Sequence, residues 1–132
     1  MMLLLNFAHP LTNDQLTNVV ALVKVQPEVR TIPTQADRSR PLGEVAIELA
    51  DAAGLSSDEW QTLPLLINPP ALAPLSLALF AEMHGRCGYF PPILNIRPVE
   101  DALTPRYEVA EIVNLQALRD HARAQRQASG EL

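Results

Sequence analysis

The 132-residue chain has one cysteine, Cys87, so no disulfide can form within it, and a reducing, cytoplasmic compartment is the expectation. Glycine is scarce, with five in all and none in the loop after the first apolar run. The G-x-G-x-x-G dinucleotide fingerprint is therefore missing, as is the G-x-x-x-x-G-K-[ST] phosphate loop, which disfavours nicotinamide, flavin and P-loop nucleotide chemistry. Lysine is almost absent: Lys24 stands against nine arginines, and the net charge is −5. Without a basic footprint, duplex DNA and long RNA are disfavoured as partners. The arginine bias reflects either base composition or local phosphate recognition, where a planar fork outperforms a point charge. Three dispersed histidines, His9, His84 and His121, give no metal-ligand spacing, and no serine nucleophile elbow is present. The carboxylate pairs Asp58-Glu59 and Glu100-Asp101 fall in polar turns and are most simply solvated. Six aromatics leave base stacking to Phe7, Phe80, Tyr89 or Phe90.

Charge is also missing from Trp60 to Ala81, a stretch of membrane-span length, but Pro64, Pro69, Pro70 and Pro74 break any continuous helix there. A buried strand followed by a helix is the expectation, with no membrane contact. The apolar start, Met1 to Phe7, has no basic lead-in and is too short for a signal peptide.

What is present fits one domain over residues 1–132, with the tail from about 124 expected to fray. Met2 to Phe7 reads as a buried strand, and Thr12 with Gln15 as a capping box opening a helix over Asn13 to Lys24. Val29 to Ile32 is a second strand, Gln35 to Arg40 a polar loop, and Leu42 to Ala53 a second helix begun by Pro41 and ended at Gly54. A short turn near Ser56 to Trp60 leads to Leu63 to Ile67, the most continuously apolar strand and so the central, parallel one. A helix over Pro74 to His84 is apolar nearly all round, which demands a cover from another element or another subunit. Pro92 to Arg97 and Tyr107 to Val113 are closing strands, joined too closely for a helical crossover and so antiparallel. Asn114 caps a last helix carrying Leu115, Leu118 and Ala122. The fold class is α/β: a Rossmann-like three-layer sandwich, with a mainly parallel sheet of about five strands and an antiparallel edge.

In such a sheet ligands bind beyond the carboxyl ends of the strands. Three polar constellations fall there: Asn6 to Thr12, Asn68-Pro69-Pro70, and Arg97-Pro98. Asn6 either reads a base or ribose or ties down its own turn. His9 is suited to phosphate contact or acid–base work, or to a structural hydrogen bond. Arg97 suits a phosphate, or an ion pair with Glu100 or Asp101. His84 and Arg86 end a helix, where capping its carbonyls is the simpler role.

The blocks Asn6-Phe7-Ala8-His9-Pro10-Leu11-Thr12, Trp60 to Asn68, and His84 to Pro92 with Arg97-Pro98 together resemble the CRISPR-associated Csx family fifteen. These are small stand-alone proteins of type III systems, grouped with the CARF (CRISPR-associated Rossmann fold) proteins. Ala8 departs from the serine expected in that pattern, which removes a hydroxyl contact. The resemblance implies binding of the second messenger cyclic tetra-adenylate, held as a sponge and shared between subunits in a dimer or a head-to-tail stack. The ligand contacts it implies are Asn6, Phe7, Ala8, His9, Thr12, Asn68, Pro69, His84, Arg86 and Arg97, with no metal or cofactor. Two alternatives stand beside it. One is a metal-independent ring nuclease, in which the ribose 2′-hydroxyl is the nucleophile and His9 and Arg97 assist. The other is a ligand-independent interaction module using the apolar third helix.

Overall fold

The computed structural model describes residues 1–35 and 39–130. Ala36, Asp37 and Arg38 of the expected polar loop, and the last two residues of the tail, lie outside the described residues.

A five-stranded sheet runs in the order β2-β1-β3-β4-β5, where β1 is Leu3–Asn6, β2 Glu28–Thr31, β3 Leu65–Asn68, β4 Ile93–Pro98 and β5 Tyr107–Val113. All neighbours are parallel except β4 and β5, so the α/β sandwich with one antiparallel edge pair is the architecture. β3 holds the middle place because its side chains have no wet face to offer. Leu65 and Ile67 enter one core with Leu3, Leu5 and Phe7, while Leu66 enters the other with Leu4.

The helices divide between the two faces. Over the Leu66 side lies α1 (Asn13–Val23), whose Val19 joins Leu4, Leu66, Leu94 and Val109. Its Thr12–Gln15 capping box forms as the sequence predicts. Over the Ile67 side lie α2 (Leu42–Ala52), α3 (Ser57–Thr62) and α4 (Ala73–Cys87). The sequence reads α3 only as a turn, yet Ser56 and Glu59 make a second capping box that starts it. In α4 the residues Leu75, Leu79, Met83 and Cys87 recur every four positions and are buried, largely against α2. That helix passes the expected stop at His84 and ends at Gly88, whose φ of 81° no β-carbon would accept without strain.

The C-terminal helix α5 (Leu115–Gly130) runs well past 124, where fraying is expected. Its leucine, alanine, arginine and glutamine residues are good helix formers. Asn114 caps it by accepting the Ala117 N–H at 2.9 Å. Residues 117–127 are exposed, and no element covers the stripe that includes Leu118, itself 58% exposed. No helix among the described residues is long and apolar enough to cross a membrane.

Replacing the fully buried Leu66 by alanine should cost about 2–5 kcal/mol in urea unfolding. Leu118→Ala should stay within about 0.5 kcal/mol in dilute protein. A large loss at Leu118 would mean that α5 is covered in solution.

Candidate functional site

The β1–α1–β2 crossover leaves on one face and the β2–α2–α3–β3 crossover on the other, so the sheet's switch point lies between β1 and β3. Asn6 and Asn68 are register partners at the carboxyl ends of those strands. Fully buried, Asn6 accepts the Ala8 N–H at 3.1 Å and the Asn68 Nδ2–H at 2.9 Å through Oδ1, and donates Nδ2–H to the His9 carbonyl at 3.0 Å. It therefore ties its own turn, the simpler of its two expected roles, and presents nothing to a ligand. Because Asn68 supplies its Nδ2 to Asn6, its Oδ1 is left without a partner among the described residues.

Directly above Asn68 opens a cleft of about 620 Å³. Ala8, His9, Pro10, Leu11, Thr12 and Gln15 form one wall, Asn68, Pro69 and Ala71 the floor, and Ile93 to Ile96 with Tyr107 the other wall. The cleft exists because β3 stops at Asn68 while β4, aligned through Ile67 and Ile93, continues to Pro98. Of the three expected strand-end constellations, the loop after β1 and Asn68-Pro69 line this space, while β4 contributes Ile93 to Ile96 rather than Arg97-Pro98; no carboxylate lines it.

Its polar equipment is sparse. The Thr12 oxygen is engaged with the Gln15 N–H at 3.1 Å, and Gln15 Oε1 accepts the Thr12 N–H at 3.0 Å. The Gln15 Nε2–H reaches the Tyr107 carbonyl at 3.3 Å, bridging the two walls. Helix geometry leaves the Asn13 and Asp14 N–H groups free, but the Asp14 carboxylate in that first turn opposes an anion. His9 is exposed in the cleft and its imidazole makes no hydrogen bond among the described residues.

The other expected contacts disperse. Phe7 is a core residue, 1% exposed, that reaches only a neighbouring 260 Å³ hollow shared with Ala8, His9 and Pro70. Arg97 does not line the cleft. It is exposed one residue beyond Ile96, opposite Glu108 of β5, and among the described residues its guanidinium has no ion pair with Glu100 or Asp101 and no hydrogen-bond partner.

His84 and Arg86 lie on the last turn of α4, which runs back from the carboxyl end of β3 to the amino end of the strands. Neither reaches the cleft. His84 packs its ring on Phe90 with centroids 4.2 Å apart. Arg86 bonds Glu82 Oε2 at 2.8 Å and Asp51 Oδ1 at 2.9 Å while lying over the buried Trp60 ring. These are structural bonds that join α4, α2 and α3. A cavity of about 450 Å³ lies beside them, lined by Trp60, Arg86 and Cys87 among others. Burial pushes the Cys87 thiol up to about 11, so it is an inert core group.

Gln15, Asn95 and Tyr107 are cleft residues that the sequence does not single out. The signal that could have found them is the contrast between a β3 stopped by Pro69-Pro70 and a β4 free to run to Pro98.

A scan of family models, a search of curated proteins and a search of solved structures each return no match to this chain.

Asn6→Ala should destabilise the fold by about 1–3 kcal/mol, because it orphans the Ala8 N–H and the Asn68 amide, as chemical denaturation would report. Stability should also fall as pH rises from about 9 toward 11. Over that window the unfolded Cys87 thiol ionises while the folded one stays protonated. A Cys87→Ala variant should lack that part of the slope.

Proposed function

We propose that the protein binds cyclic tetra-adenylate at the strand-end cleft and sequesters it, as the likeness to Csx family fifteen and the CARF proteins implies. The observation that carries this reading is the carboxylate-free 620 Å³ cleft at the sheet's switch point, with the unpartnered His9 imidazole in it and the unpartnered Arg97 next to its wall. Apolar and amide groups there suit a base and a ribose, while the two nitrogenous side chains suit phosphate. Asn68 Oδ1 is an acceptor for a ribose hydroxyl or an exocyclic amine.

Four phosphates need more donors than one such cleft supplies, so the ring is shared between copies of the chain. Two surfaces support self-association. A groove of about 400 Å³ lined by Pro69, Leu77, Phe80, Phe90, Ile93 and Leu115 adjoins the cleft at Pro69 and Ile93, and Leu77 is 75% exposed. The stripe of α5 that includes Leu118 is the second. A second copy covering these faces would place another cleft near the first, as a dimer or a head-to-tail stack.

His9 also favours a second reading, slow ring cleavage. The 2′-oxygen would form a bond to phosphorus as the bond to the 5′-oxygen breaks. The proton lost by the 2′-hydroxyl would return to the leaving 5′-oxygen, giving a 2′,3′-cyclic phosphate end. Nothing but the ring itself is consumed.

Cyclic tetra-adenylate in excess should raise both the melting temperature and the apparent mass in light scattering. Arg97→Ala should weaken binding at least about tenfold, the loss of one charge-assisted contact, whereas Arg86→Ala should lower stability and leave affinity unchanged. Unaltered melting and mass would overturn the proposal. Assembly in the bare protein, indifferent to ligand, would favour the interaction module, and linear products on chromatography would favour the nuclease.

A further inference from the structure

The wall of the cleft formed by β4 is an unfinished β-ladder. Ile67 donates its N–H to the Pro92 carbonyl at 2.9 Å, the last rung joining β3 to β4 through the Ile67–Ile93 register. In a parallel ladder the next rung would take an N–H from residue 69 to the Leu94 carbonyl and return the Ile96 N–H to the residue 69 carbonyl. Residue 69 is proline and has no N–H to give. The returning bond is absent too: no hydrogen bond joins the Ile96 N–H to the Pro69 carbonyl. Main-chain groups alternate sides along a strand: the Pro92 carbonyl faces β3, and the Val99 N–H bonds the Arg106 carbonyl at 3.0 Å on the β5 side. Val109, opposite Ile96, gives its N–H to Asn18 Oδ1 at 3.2 Å rather than to β4, so Leu94 and Ile96 turn their main-chain groups toward the cleft they line. An acceptor and a donor thus stand two residues apart on one strand edge, over a space left vacant by β3.

We infer that this edge is an adenine-reading site, in which the Leu94 carbonyl accepts the 6-amino hydrogen of the base and the Ile96 N–H donates to its N1. The 6-amino group and N1 of adenine present a donor beside an acceptor, the same order that a non-proline residue 69 would have offered the ladder. Hypoxanthine and guanine present an acceptor beside an N–H and oppose the edge at both points. Ile93, Pro69, Pro10 and Leu11 among the lining residues give the flat faces of the base apolar cover. An added peptide strand fits poorly, because Pro98 supplies no N–H and the edge holds a single donor. The inference specifies which part of the messenger the cleft reads, and in that sense rests on the function proposed above.

Its test uses the ¹⁵N-labelled full chain with adenosine, inosine and cytidine 5′-monophosphates and with the cyclic tetra-adenylate and tetra-inosinate rings. Adenosine monophosphate and the adenylate ring should move the Ile96 amide proton downfield, whereas the inosine compounds should bind at least tenfold more weakly and leave that proton in place. Cytidine monophosphate shares the edge chemistry on a smaller ring and should need several-fold higher concentration. Ile96→Pro removes the N–H, which makes no bond to β3, and should abolish the adenine preference, while Ile96→Val keeps the N–H and should retain it. If Ile96→Pro does not fold, the wild-type amide shift still decides. Equal binding of adenylate and inosinate rings, or a still Ile96 amide while its neighbours move, would overturn the inference and leave ring sequestration standing. An Ile96 shift with adenosine monophosphate but no binding of the adenylate ring would do the reverse. Cytidine monophosphate binding as well as the adenine nucleotide would overturn the assignment to a purine.

Discussion

Pro69 has no amide hydrogen, and the upper half of the molecule follows from that missing donor. A sheet ladder needs alternating N–H groups to continue, so β3 ends where Asn68 gives way to Pro69, while β4 keeps its partner β5 on the far edge and runs on to Pro98. The difference in length is what opens a cleft rather than a flat sheet end. The Asn6–Asn68 hydrogen bond fixes the two strands below it, and the Gln15–Tyr107 bond holds the two walls at a set spacing. The cleft is thus preorganised by contacts among residues that need not themselves touch a ligand.

The two ends of the sheet contrast in how their polar groups are treated. At the amino end of the strands Arg86 is bonded to Glu82 and Asp51 and lies over Trp60, so its charge is neutralised within the fold. At the carboxyl end the His9 imidazole, the Arg97 guanidinium and the Asn68 Oδ1 have no partners among the described residues, and the Ile96 N–H makes no bond to β3. Polar groups left open to solvent at strand ends, on a rigid sheet, are available to a ligand, whereas beside Trp60 only the buried indole N–H lacks a partner among the described residues. The accessible histidine and asparagine groups favour the strand-end cleft over the cavity beside Trp60, where Arg86 is already paired.

Much of the fold was legible because hydrophobic patterning acts locally. Leu3 to Leu5 and Leu65 to Ile67 are apolar on both faces, which only an interior parallel strand can use, and the short link before Tyr107 forces the antiparallel turn back. The site was legible only as a set of loops. Residue type shows that Asn6, His9, Asn68 and Arg97 are polar at strand ends, but not which way they point, and burial turns Asn6 inward to its own turn. His84 and Arg86 stand apart from the cleft because α4 carries them from the carboxyl end of β3 back toward the amino end of β4, a direction their sequence block does not reveal. The groups inferred to read a base are main-chain atoms of Leu94 and Ile96, which no side-chain pattern can announce.

The most direct measurement is a crystal structure of the protein grown with cyclic tetra-adenylate. The account predicts the ring at the carboxyl ends of β1, β3 and β4, with a base against the Leu94–Ile96 edge and phosphate within reach of His9 or Arg97. A ring seated instead beside Trp60 and Arg86, or a cleft left without ligand at saturating concentration, would contradict it.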